Sequence, residues 1–376
     1  MIRDLPDAEL APRSSPRPIP DRLVLPFGAV LLCCRPMPIR VLDMTIPQLR
    51  LAVEAVSQPA YRAAQIADWV YGKGVHAPAA MANLPSALRE GLVVVTSRVA
   101  ERRESTDGTL KLLIELSDGE QIEAVRIPAE GRATACLSTQ VGCAFRCAFC
   151  ATGQAGLRRN LSASEILEQL LHLRTACGGE RISNVVFMGM GEPLANYDAT
   201  VAAVRALIDP ERFGLSARSV TVSTLGIPKA IRRLAAEDLP VTLAISLHAP
   251  NDALRRRLLP RAPGTIDEVL RAARRFYEAR HREVTLEYVL LAGVNDTPLC
   301  AEGLARLAKS LRCSVNLIRY NPVSPLGYDR PSQSATKAFA ARLKGRGVNV
   351  HVRRSRGLDA DAACGQLRTR RDEQTA

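Results

Sequence analysis

From Ala133 to Val352 the chain repeats one pattern, a short run of apolar and β-branched residues followed by an amphipathic stretch. Ala133–Thr139, Asn184–Met188, Ser219–Ser223, Val241–Leu247, Val284–Leu290, Ser314–Ile318 and Val348–Val352 read as short buried strands. Segments such as Ser164–Arg174 and Leu299–Leu311 between them carry helical spacing. Strands that alternate with helices pair in parallel through right-handed crossovers, with the helices outside the sheet. The units are too few for an eight-fold closed barrel. The expected fold is therefore α/β, a partial (β/α)6 barrel with its active site at the C-terminal ends of the strands.

The chain before this repeat divides in three. Residues 1–40 hold eight prolines and show no periodicity, which predicts a flexible tail, or a start upstream of a truer one at Met37 or Met44. Leu23–Cys34 is apolar, but Pro26 interrupts it and no small-residue cleavage site follows, so it reads as an extension and not a signal. Residues 41–97 read as a helical accessory domain, with Ile66, Trp69 and Val70 on one face and a second helix over Pro85–Leu92. In 98–131, Leu110–Leu116 and Gln121–Ile127 form a hairpin across Ser117-Asp118-Gly119-Glu120, because Asp-Gly suits the turn. The barrel with its C-terminal loop takes 132–370, and 371–376 is a tail.

Net charge is +13, carried by 45 Arg against 6 Lys. That fits a polyanionic partner through bidentate guanidinium contacts, and equally a GC-rich genome that favours arginine codons. Ten cysteines in 376 residues do not make a disulfide scaffold, and their clustering points to a metal site in a reducing, cytoplasmic compartment. No apolar run approaches the ~18 residues that span a bilayer, so no membrane association is expected.

The cluster is Cys143-Ala-Phe-Arg-Cys147-Ala-Phe-Cys150, directly after the first strand of the repeat. Three soft thiolates in so short a loop can converge on an iron–sulfur cluster and leave one iron open to substrate. Gly142 allows a tight backbone path before the first ligand, and Phe149 is placed to shield the site. The rival is a zinc site completed by a distant residue, which would make a non-catalytic RNA-binding module. Paired Cys-x-x-Cys or Cys/His spacing, the usual zinc form, is absent. Gly189, Gly191, Glu192 and Pro193 follow the strand Asn184–Met188, where glycines let a ligand approach the backbone. By themselves they also describe an ordinary turn.

The cysteine spacing resembles the radical-SAM signature, and its surroundings resemble the RlmN/Cfr family of RNA adenine methyltransferases. The resemblance rests on Cys136-Leu-Ser-Thr-Gln-Val-Gly-Cys143, Cys150-Ala-Thr-Gly, Arg159-Asn160-Leu161, Met188-Gly-Met-Gly-Glu-Pro193, Ala244-Ile-Ser-Leu-His-Ala-Pro-Asn251 and Ala362-Ala-Cys-Gly-Gln-Leu367. It runs from about Leu42 to Leu367. It implies a [4Fe–4S] cluster on Cys143, Cys147 and Cys150, and S-adenosylmethionine (SAM) bound by Gly191, Glu192, Ser223, Ser246, Leu247, His248 and Asn321.

The resemblance also makes Cys364 the methyl-accepting residue. One SAM methylates its sulfur, and a second yields the radical that lets the S-methyl carbon add to an adenine. Cys136 then releases the adduct and leaves a disulfide. Glu123 matches the position of the ring-proton acceptor, although Cys136 remains open for that role. On residues alone, Cys364 and Cys136 also read as small core positions and Glu123 as a solvated strand carboxylate.

The implied substrates are 23S rRNA, at adenine C2, and tRNA, with C8 methylation of the same rRNA base as the rival. An electron donor such as flavodoxin and a monomeric state belong to the same expectation. Arg255, Arg256, Arg257, Arg271, Arg274, Arg275, Arg353, Arg354 and Arg356 are candidates for phosphate contact, with Arg62 and Lys73 in the helical domain. Two stretches depart from the family pattern, Leu259–Gly264 and Arg319-Tyr320, and both bear on RNA specificity.

Overall fold

The computed structural model describes residues 37–324 and 326–367, so the expectations for 1–36 and for the tail 371–376 lie outside the described residues. Its main sheet has ten strands, which hydrogen-bond in the order of the chain. They are β1 (Arg98–Glu104), β2 (Leu110–Glu115), β3 (Gln121–Ala129), β4 (Arg132–Cys136), β5 (Asn184–Phe187), β6 (Val220–Thr224), β7 (Thr242–Ser246), β8 (Val284–Leu290), β9 (Cys313–Arg319) and β10 (Val350–Arg353). β1 to β4 pair antiparallel, and β4 to β10 pair in parallel.

Six crossovers join the seven parallel strands, and each carries a helix, the main ones being Ala163–Ala176, Tyr197–Ile208, Pro228–Ala236, Ile266–Arg280, Pro298–Lys309 and Gln333–Gly345. This is the expected partial barrel, with its seven parallel strands at the places read from the sequence. β10 and β1 are its two edges. β7 and β8 are buried along almost their whole length, as strands covered on both faces must be. The helices start where side chains replace missing backbone partners. Ser162 with Glu165, and Thr265 with Glu268, form reciprocal capping boxes.

The hairpin over Asp118-Gly119 forms as expected, with Asp118 accepting from the Glu120 amide at 3.0 Å and Gly119 at φ +80°. The hairpin is part of a three-stranded antiparallel wing continuous with the barrel sheet, because β1 precedes it. β1 reads Arg-Val-Ala-Glu-Arg-Arg-Glu and is exposed at every position but Glu101. It shows no apolar alternation because it is an edge strand, protected by charge and paired Arg98–Glu115 and Arg103–Glu101. The cysteine loop also does not follow the first strand of the repeat directly. β4 ends at Cys136, and Gln140–Gly142 forms a separate short ribbon with Leu157–Asn160.

In the helical domain, Tyr61–Ala67 continues into a π-helical turn at Asp68–Gly72, which buries Ile66 and Val70 and leaves Trp69 half-buried. The second helix is shorter than expected, Ser86–Glu90, because Leu92 pairs with Ile39 as a strand. Polar contacts seat this domain on the barrel. Arg174 donates to the carbonyls of Tyr71 and Gly72 at 2.7 Å, and Arg212 donates to that of Leu42 at 3.0 Å.

Candidate active site

The cysteine loop leaves the short ribbon through Gly142, whose φ is +76°. A Cβ there would fall 1.9 Å from the Gly156 carbonyl oxygen, the atom that also accepts from the Cys143 amide at 2.8 Å. Glycine is therefore required by both conformation and space. Arg146 takes a left-handed turn at φ 51°, and the Cys150 amide closes on the Cys147 carbonyl at 3.1 Å. The three thiols line one cavity, which opens beyond the C-terminal ends of β5 to β9. Burial pushes the Cys143 thiol up to about 12, burial and then Cys150 and Cys143 raise Cys147, and burial with a smaller push from Cys364 raises Cys150.

Gly191, Glu192, Ser223, Ser246, His248 and Asn321 line the same cavity. Gly191, at φ +96°, packs its α-carbon against Gln140, and a Cβ would meet that side chain at 2.5 Å. Glu192 is buried, and its two carboxylate oxygens accept from the amides of Leu194 at 3.0 Å and Leu225 at 2.8 Å. Burial nonetheless raises its carboxyl to about 7. Glu192 thus braces the ends of β5 and β6, and its carboxylate is largely committed to the protein. His248 accepts from the Val289 amide through Nδ1 at 3.1 Å and stands edge-on to Phe149 at 5.0 Å. Burial lowers it to about 3, so it is neutral, a satisfied strand-end histidine that also walls the cavity. Leu247 is fully buried and is not part of the wall. Its amide donates to the Glu287 carbonyl at 3.0 Å.

Cys364 joins the two halves of the site. It lines the cavity of the three cysteines, and also a second cavity with Cys136, Met188, Ile127 and Arg353. Asn321 holds its loop by donating to the Cys364 carbonyl at 3.1 Å. Burial, and then the neighbouring Cys364, push the Cys136 thiol up to about 12. Glu123 lines neither cavity and is no solvated carboxylate. It is buried, with Lys111 Nζ at 2.8 Å.

The arginines separate. Arg255 is buried and donates to the carbonyls of Leu225 at 2.6 Å and Gly264 at 3.3 Å, so it belongs to the fold and not to a phosphate site. Arg271 pairs with Asp267, and Arg274 caps the Ser310 carbonyl. Arg353, Arg354 and Arg356 stand beside Cys136 and Cys364. In the helical domain Lys73 lies over the Trp69 ring at 4.0 Å, and Arg62 over Tyr61 at 4.9 Å.

Two family models match the chain. The radical SAM superfamily covers residues 137–301, and the ribosomal RNA large subunit methyltransferase N-terminal domain covers 39–97. A probable dual-specificity RNA methyltransferase RlmN of Synechococcus elongatus is 46% identical over 89% of this chain and 95% of its own length. The protein of the same description from Synechocystis is 46% identical over 91% and 98%. The chain belongs to the RlmN family of radical SAM RNA methyltransferases. The crystal structure of a radical SAM methyltransferase from Sphaerobacter thermophilus superposes with a TM-score of 0.84 at 44% identity, over 88% of this chain and 99% of that one.

Membership of the RlmN family brings a [4Fe–4S] cluster and SAM as cofactors. The donor set fits the cluster. Cys143, Cys147 and Cys150 are soft, mutually close thiols whose burial disfavours the bare thiolate, a penalty that a cationic cluster reverses. Among the described residues no three His, Cys, Asp or Glu side chains converge as one metal ion would require. A cluster that gives each thiolate its own iron does not demand that convergence.

Two side chains went unnoticed in the sequence. Glu287, in the middle of β8, lines the cavity with Oε1 held by Asn316 at 3.0 Å, while Oε2 is buried without a partner. Lys111 is the other. In both cases the signal was a charged residue inside an apolar strand.

Proposed function

We propose that the chain methylates C2 of an adenine in 23S rRNA, in the peptidyl transferase centre, and in tRNA, through a methylated Cys364 and with two SAM per turnover. The observation that carries this reading is the position of Cys364 in the walls of both cavities, one with the cluster cysteines and one with Cys136. Bound, the cofactors supply the methyl group and, by one-electron cleavage of a second SAM, a hydrogen-abstracting radical.

The protein's part is placement and proton handling. Cys143, Cys147 and Cys150 hold the cluster. Gly191, Ser223, Ser246, His248 and Asn321 shape the cofactor cavity, with Glu192 bracing it. Cys364 accepts the methyl group and carries its carbon to the adenine as a covalent adduct. Glu123 takes the ring proton, the bond's electron pair stays in the ring, and the adduct's unpaired electron would return to the oxidised cluster. The Cys136 sulfur attacks that of Cys364, so an S–S bond forms as the S–C bond breaks. The released carbon takes a proton to become the methyl group. A thiol reductant later restores both cysteines, and an electron donor such as flavodoxin serves the cluster. An unstacked adenine reaches this site only from a loop or a flipped position, with Arg353, Arg354 and Arg356 beside it.

The test is incubation of the anaerobically reconstituted enzyme with rRNA, SAM and reductant, followed by mass spectrometry of the adenosines. 2-Methyladenosine is expected, and 8-methyladenosine refutes the regiochemistry. Cys136→Ala is expected to leave RNA bound covalently to Cys364. RNA-free Cys136→Ala protein with normal product refutes the two-cysteine path.

A further inference from the structure

Sheet register places Lys111, Glu123 and Cys136 on one face. Lys111 lies opposite Val125, Val125 opposite Cys136, and Glu123 opposite Leu113. Residues directly across a ladder, and residues two apart on one strand, share a face. Lys111 and Glu123 are therefore diagonal neighbours, beside Cys136. Their side chains are each 7% exposed and pair at 2.8 Å. A buried ammonium is costly unless its charge and donors are met. Lys111 spends a second donor on the Asp361 carbonyl at 3.0 Å, in the loop that carries Cys364. That loop is pinned again by the same wing. Asp359 accepts from the Ser105 hydroxyl and, at 3.0 Å, from the Thr106 amide, and the Gly357 amide donates to Asp107 at 3.1 Å.

We propose that Lys111 is a positioning residue for the methyl transfer. It keeps the Glu123 carboxylate ionised in a buried place, and through Asp361 it sets the distance between that carboxylate and Cys364. The proposal rests on the reading of Glu123 as acceptor of the ring proton. Among the described residues, the titratable groups near Glu123 include Lys111 from β2, Arg103 from β1, Asp361 from the C-terminal loop and Cys136 from β4. Arg103 is committed to Glu101 at 2.7 Å, whereas Lys111 touches Glu123 directly. Without the ammonium, the proton-acceptor form of Glu123 is reached only at higher pH.

The experiment uses the full-length, cluster-loaded enzyme with SAM, reductant and an rRNA fragment, and compares wild type, Lys111→Met, Lys111→Gln, Lys111→Arg and Glu123→Gln. It measures methylation of Cys364 by mass spectrometry and, separately, the rate at which the covalent RNA adduct resolves as a function of pH. Lys111→Met and Lys111→Gln are expected to methylate Cys364, to accumulate adduct and to resolve it at least tenfold more slowly at neutral pH. Their rate–pH profiles are expected to move in the alkaline direction, and Lys111→Arg to recover most of the rate. Resolution at the wild-type rate with an unmoved profile overturns the proposal. So does loss of Cys364 methylation in both uncharged variants, which would make Lys111 a folding residue. If Glu123→Gln resolves adduct normally, the reading of Glu123 itself has failed. Slow Glu123→Gln beside normal Lys111 variants refutes only the part given to Lys111.

Discussion

Gly142→Ala is predicted to break the site through its backbone, and the structure sets the size of the effect. A left-handed φ of +76° costs an L-residue about 1 kcal/mol or more. The added Cβ would sit 1.9 Å from the Gly156 oxygen, so the ribbon Gln140–Gly142/Leu157–Asn160 must open. Opening it sacrifices the 2.8 Å bond from the Cys143 amide, which is worth about 1 kcal/mol. With residual strain the total is roughly 3 kcal/mol. Gly178→Ala is the control, because Gly178 has φ +66° and no heavy atom within 4 Å of a built Cβ. It should cost only the conformational term, about 1 kcal/mol. Urea unfolding under anaerobic conditions measures both, and iron and sulfide content reports whether Cys143 still reaches the cluster. Gly142→Ala is expected to be less stable than Gly178→Ala by about 2 kcal/mol, a factor of roughly 30 in the folded-to-unfolded ratio, and depleted in iron. Equal stability of the two variants, or full iron in Gly142→Ala, refutes the reasoning.

Glu287→Gln is predicted to weaken SAM binding at least tenfold, because this cavity-lining side chain, whose Oε2 is buried without a partner, would exchange a carboxylate oxygen for an amide. Calorimetric titration with SAM measures this, and unchanged affinity removes Glu287 from cofactor recognition. His172 gives a pH dependence away from the site. Burial, then the neighbouring His76, lower it to about 4, and its Nε2 meets the Ser97 hydroxyl at 2.9 Å. Above pH ~6.5 it is neutral both folded and unfolded, so it contributes no slope there. Below that the unfolded chain takes a proton that the folded one refuses until about pH 4, and up to about 3 kcal/mol of stability is lost across the window. Unfolding free energies at pH 7 and pH 4.5 should converge in His172→Gln, apart from the carboxylates, relative to wild type. An identical pH slope in both proteins counts against it.

What could be read from the sequence was what lies close along it. The cysteine loop is local, the Gly142 turn needs glycine for steric reasons, and buried parallel strands announce themselves as apolar runs. The parts that failed to show are set by register or burial. β1 is an edge strand whose alternating charges carry no hydrophobic period. Lys111 and Glu287 looked like single polar faults in apolar strands until pairing gave the first a carboxylate and the second a cavity. Arg255 looked like its exposed neighbours Arg256 and Arg257 until burial set it against backbone carbonyls. The meeting of Cys136 and Cys364 is the extreme case, since a spacing of 228 residues specifies nothing about distance in space. Only strand pairing and a loop folded back onto the wing bring them together.

That return of the loop explains why the antiparallel wing is continuous with the barrel sheet. The cofactor cavity needs only the ends of the parallel strands, as βα folds generally provide. In the proposed cycle, a thiol that acts first at the cofactor and later beside a second cysteine needs a fixed wall on its other side. β2 and β3 back the loop that carries Cys364, through Ile127 in the second cavity and the Lys111 bond to the Asp361 carbonyl. The ladder from β3 to β4 places Cys136 at the same level, opposite Val125. Because the wing and the barrel share one hydrogen-bonded sheet, the two cavities that meet at Cys364 keep their spacing without a hinge between them.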